Sequence, residues 1–118
     1  MATASRVPLV VATLALVACA GVAAASVPSV AECLEGSDFI ANAARARDNG
    51  VARDRFLERL DSDLETIRAF PPALRWFARD GDDEAFLREA TASVFREPLS
   101  PDEHRAGFLR ACFARLST

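Results

Sequence analysis

Cys33 and Cys112 stand near opposite ends of a stretch that holds no other cysteine. Joined, they would close a loop of about 80 residues, worth ~4.5 kcal/mol on the chain-entropy model. For a domain of under about a hundred residues that is comparable to the whole net stability expected. Such a bond needs an oxidising compartment, so the pair ties the fold to the question of export. Competing uses of the thiols fare worse. A zinc site needs about four ligands, and His104 is the chain's single histidine. A cysteine nucleophile usually needs a histidine base, and the spacing puts His104 on the polar side of its segment, opposite Cys112. We therefore expect a structural disulfide and no metal or cofactor.

The N-terminus supplies the export signal. No charged residue occurs from Val7 to Ala31, between Arg6 and Glu32. Met1–Arg6 is a short basic lead, the stretch from Val7 to Ala18 is the apolar core of a secretory signal, and small residues follow. Two processing readings stand side by side. Ala23-Ala24-Ala25 is a signal-peptidase site, which makes residues 1–25 a signal peptide and 26–118 a single exported domain. Leu16-Val17-Ala18-Cys19 fits a lipobox, which makes residues 1–18 the signal and Cys19 the lipidated first residue. An uncleaved anchor is the third reading, since 25 uncharged residues can cross a bilayer; the Ala, Ser and Thr content and the interruptions at Pro8 and Pro28 make it a poor span. Each reading places the rest of the chain outside the cytosol, in the periplasm, in the medium, or held to the envelope by lipid. Membrane contact is expected only through the signal or a lipid on Cys19.

The sequence of 118 residues has room for one domain, and with 51% apolar and 26% charged residues it is neither disordered nor collagen-like. A formal net charge of −3 gives no electrostatic case for nucleic-acid binding.

Apolar spacing is helical throughout, with no period-two run. Ser29-x-x-Glu32 is a capping box. It opens a first helix through Cys33, Leu34, Ile40 and Ala44 that stops at Asn49-Gly50, where glycine suits a left-handed cap. A second helix begins near Arg53, and Phe56, Leu57, Leu60, Leu64 and Ile67 form its single apolar stripe. Pro71-Pro72 ends it. A short third helix is expected next, with Leu74 and Phe77 inward, ending at Asp80-Gly81. Asp82 or Asp83 would cap a helix bearing Phe86, Leu87, Ala90 and Val94, which Pro98 terminates. Ser100, Pro101 and Glu103 then open the last helix, whose stripe is Phe108, Leu109, Cys112, Phe113 and Leu116. If the first and last helices lie antiparallel and adjacent, the two sulfurs arrive at one level. The expected fold is all-α, a small bundle of four to five short helices stapled by one disulfide between the first helix and the last.

A cysteine near the mature start, Ala-Arg-Asp-Asn-Gly at a helix end, and Glu-Pro-Leu-Ser-Pro before a last helix holding the second cysteine resemble small, signal-peptide-bearing, two-cysteine helical proteins of proteobacteria. The resemblance covers most of residues 29–116. It implies export and a helical fold and carries no activity.

No constellation in the chain points to catalysis. Asp80-Gly81-Asp82-Asp83-Glu84 fails as a calcium loop, since the sixth and twelfth positions hold Ala85 and Thr91 rather than glycine and glutamate. Asp61-x-Asp63-x-Glu65 lies within a helix, so its carboxylates diverge. Every Asp and Glu falls on a polar face or at a cap, and no nucleophile elbow, phosphate loop or zinc-protease motif is present. His104 is expected to be solvated. Around Trp76 the sequence is more suggestive: Phe70, Pro71, Pro72, Arg75, Trp76 and Arg79 make an apolar and cationic corner, and Trp and Arg are enriched in binding hot spots. The alternative role for Trp76 is to close one end of the core with Arg79 stacked on it. The sequence thus points to a non-enzymatic exported domain that binds a protein partner. An apolar-ligand carrier built around the eight phenylalanines, or a lipid-anchored envelope protein, is the alternative.

Overall fold

The computed structural model describes residues 28–116. The signal run, both cleavage sites and Cys19 lie outside the described residues. Among the described residues there are four α-helices, α1 (Val30–Asp48), α2 (Arg53–Arg68), α3 (Gly81–Arg96) and α4 (Pro101–Leu116), with a 3-10 turn at Pro72–Leu74. The protein is all-α, and a Cys33–Cys112 disulfide joins its first and last helices.

Local chemistry sets most of the boundaries. The Ser29 hydroxyl accepts from the Glu32 amide while the Glu32 carboxylate accepts from the Ser29 amide, which satisfies two orphan donors at the start of α1. At its other end the Val51 amide donates to the Ala46 carbonyl and the Gly50 amide to that of Arg47. This Schellman closure needs the positive φ of 89° found at Gly50. Ser100 and Glu103 repeat the reciprocal box at α4. At the head of α3 the cap is Asp80 rather than Asp82 or Asp83; its carboxylate accepts from the Asp83 amide. Gly81 therefore begins α3 instead of ending an earlier helix.

α1 is the central element, packing on α4 along one side and on α3 along another, while α2 packs chiefly on α3. The α1–α4 pair is antiparallel: Cys33 meets Cys112, Asp38 pairs with Arg105, and Arg47 reaches the start of α4. Gly36 permits the close approach, since a Cβ there would stand 2.7 Å from the Phe108 ring. The core is Ile40, Ala43, Ala44, Leu60, Leu64, Phe77, Leu87, Val94 and Phe108, with the disulfide inside it.

Four expectations fail on packing. No third helix forms after the prolines: only the 3-10 turn does, and Leu74 points outward with 72% of its surface exposed. Phe77 instead reaches the core by adopting a left-handed backbone, φ 41°. For a phenylalanine that conformation costs about 1–3 kcal/mol, which burial of the whole ring offsets. Leu34 and Phe113 sit at the edges of their helices' apolar arcs and stay exposed. His104 is buried, on the same side of α4 as Phe108 and Cys112. Asp83 is buried too, at 1% exposure, contrary to the expectation that every carboxylate lies on a polar face or at a cap.

Candidate functional site

Two places can do more than hold the fold: the corner at residues 70–79, and the space between α3 and α4.

The structure gathers the six corner residues singled out in the sequence, and it uses three of them internally. The Arg75 guanidinium donates to the carbonyls of Arg68, Phe70 and Arg79, capping the end of α2 and tying the loop to itself. The Trp76 indole N–H donates to Glu35 of α1 at 2.9 Å, and its ring lies edge-on to Phe39. Arg79 pairs with Glu32 rather than stacking on Trp76. Trp76 does close one end of the core. That leaves Phe70, Pro71 and Pro72 exposed, joined by Ala73 and Leu74. The corner's free surface is therefore apolar, and its cations are committed.

Asp83 anchors the neighbouring helix start. Its carboxylate accepts from Arg115 of α4 at 2.8 Å and from the Arg79 amide at 3.2 Å. Arg115 also lies 4.5 Å over the Phe86 ring, and Phe86 lies 5.4 Å from Phe108. Beside them Glu84 binds Arg68 through both oxygens. That bond raises the guanidinium's pKa above its ordinary value. The Asp83, Phe86 and Arg115 contacts draw α3 and α4 together at the disulfide end, and the Glu84–Arg68 pair ties α3 to the end of α2.

Farther along, α3 and α4 pack on each other far less than either packs on α1, and a groove of about 390 Å³ opens between them. Ile40 of α1 lies at its base, with Phe86 and Ala90 on one wall and Gly107, Phe108 and Ala111 on the other. Its rim carries Glu89, Glu97, Glu103 and Arg110, with Leu99 at the closed end. The helices stay apart there because α1 holds each of them separately. Arg47, near the end of α1, donates to the carbonyls of Val94, Glu97 and Leu99 and so fixes the α3–α4 connection from below. His104 shares this hub, with Nε2 2.9 Å from the Glu97 carbonyl and 3.3 Å from the Arg47 guanidinium. Arginine only donates and a carbonyl only accepts, so the tautomer of His104 decides which of the two contacts Nε2 serves. His104 is a buried structural residue of the groove wall.

Sequence reasoning missed this groove. Glu89 and Glu97 fall among the carboxylates expected on polar faces or at caps, and no spacing reports a gap between helices. Among the described residues no set of three or more His, Cys, Asp or Glu side chains is placed to hold a metal ion, and no helix is long and apolar enough to cross a membrane. No family model matches the chain, and neither a curated protein nor a solved structure does.

Proposed function

We propose that this chain is an exported, non-enzymatic helical domain that binds a segment of a protein partner in the α3–α4 groove. One observation carries the reading: an apolar-based, charge-rimmed opening that the domain's own core leaves unfilled. A groove with an apolar base and a polar rim suits recognition of one or two apolar side chains on a helix or extended segment. Glu89 is held by Arg96 at 2.6 Å, which leaves Glu97 and Glu103 as the rim carboxylates that would favour a partner with a basic flank. Export draws its support from the uncharged run at residues 7–31 and from the disulfide. In this reading the domain works in the periplasm or beyond, released by cleavage after Ala25 or tethered through Cys19.

Gly107 offers the test. A Cβ there meets only the Arg110 guanidinium, at 3.8 Å. Gly107→Leu should therefore fill the groove without disturbing the core, and helix propensity should favour it. Crosslinking in the native envelope should recover a discrete partner with the wild type and lose it with Gly107→Leu. The same partners at the same yield from both proteins would remove the groove as the binding site.

The groove's size also falls within the range of small-molecule pockets, which supports the apolar-ligand carrier as a second reading. Native mass spectrometry of protein purified from its host separates the two. A carrier retains a small mass adduct that Gly107→Leu abolishes, whereas a protein-binding domain flies unliganded.

A further inference from the structure

Apart from the groove, the domain's exposed apolar side chains are unevenly placed. Val30, Leu34, Phe70, Leu74, Leu99 and Phe113 are the large ones exposed among the described residues. All except Leu99 surround one end of the bundle. Val30 and Leu34 lie in the first turns of α1, and Phe113 follows the cysteine bonded to Cys33. In an antiparallel helix pair, the residues one step beyond two facing positions emerge on the same side, so Leu34 and Phe113 flank the disulfide together. Phe70 and Leu74 belong to the loop that Trp76 and Arg79 pin to Glu35 and Glu32 of α1. Four guanidiniums of this end are engaged: Arg68 with Glu84, Arg75 with three carbonyls, Arg79 with Glu32 and Arg115 with Asp83.

This is also the end at which the uncharged run from Val7 to Ala31 joins the domain. A lipid on Cys19 would sit only ten residues before Ser29, a span of at most about 36 Å.

We propose that this end of the bundle rests on a phospholipid bilayer, with Phe70, Leu74, Val30, Leu34 and Phe113 entering the interfacial layer. Apolar insertion drives the contact, and charge contributes little because Arg68, Arg79 and Arg115 each face a carboxylate and the Arg75 guanidinium is turned onto backbone carbonyls. Binding of this kind scales with the apolar area buried and changes little with salt. The α3–α4 groove runs along the side of the bundle from Phe86 and Ala111 toward Leu99, away from this end. The contact itself does not depend on what the groove binds.

The test uses the full chain with zwitterionic phosphatidylcholine vesicles, read by co-sedimentation and by the emission of Trp76, the chain's single tryptophan. Phe70→Ser/Leu74→Ser and Val30→Ser/Leu34→Ser alter only exposed side chains, so melting temperatures should stay close to the wild type. Each pair should lower the vesicle partition coefficient about tenfold. Leu99→Ser, at the other end, should leave it unchanged, as should high salt. Equal partition of all variants would overturn the proposal, because the N-terminal run alone would then account for binding. So would a wild-type dimer in sedimentation equilibrium that the two paired variants dissociate while vesicle binding is kept, since a second copy would then cover this end.

Discussion

α1 and α2 make an instructive contrast. α2 has the cleaner amphipathic sequence, a single stripe from Phe56 to Ile67 under a charged face. Yet only Leu60 and Leu64 of that stripe are fully buried, and the helix packs chiefly on α3. α1 has a blurred pattern and holds the fold together. Its buried positions include Gly36, Ser37, Ala41, Ala43 and Ala44, spread over a wide arc because neighbours press on it from two sides. A stripe marks a helix that touches the core along one line. A helix at the centre is built of small residues and marks itself weakly.

The largest expected effect falls on the tie between α1 and α4. Replacing Cys33 and Cys112 with serine should lower unfolding free energy by ~4.5 kcal/mol, measured by urea denaturation. If the contrast holds, native-state hydrogen exchange of the oxidised protein should show α1 and α4 opening only with global unfolding and α2 at lower cost. Equal protection of α2 would break the comparison.

Asp83 extends the tied pair to α3 through Arg115. Asp83→Ala should cost about 3 kcal/mol, because it removes the buried carboxylate that both the Arg115 guanidinium and the Arg79 amide donate to. A loss below that of an ordinary surface salt bridge would detach α3 from the stable unit.

Gly36 and Gly107 sharpen the contrast within the pair. Both glycines are helical, so intrinsic propensity favours alanine at each by up to ~1 kcal/mol. At Gly36 the new methyl would stand 2.7 Å from the Phe108 ring, and Gly36→Ala should destabilise by about 2 kcal/mol through overpacking. At Gly107, which faces the groove, Gly107→Ala should instead stabilise by up to ~1 kcal/mol. Opposite signs in thermal melts would locate the tight side and the open side of α4.

What the sequence made legible follows the range of the interaction. The boxes at Ser29/Glu32 and Ser100/Glu103 and the Asn49-Gly50 stop involve residues within a turn of each other, and each stands as read. Phe77 was readable as buried but not as left-handed, because its conformation is imposed by Trp76 and Ala78 docking on either side of it. The burial of His104 depends on Arg47 and that of Asp83 on Arg115, partners 57 and 32 positions away. Neither residue looks unusual among its own neighbours. At the 70–79 corner the sequence picked residues that do come together, but their hydrogen bonds turn Arg75, Trp76 and Arg79 inward. The groove left no trace in the sequence because it is a space fixed by how α1 holds α3 and α4 apart.

A covalent link between Cys33 and Cys112 joins the two ends of the domain. A non-reducing peptide map of the protein purified from its native host tests this directly. It should yield the Cys33 and Cys112 peptides as one disulfide-linked species, with neither thiol open to alkylation before reduction. Recovery of the two peptides separately, each alkylated in the native protein, would contradict it.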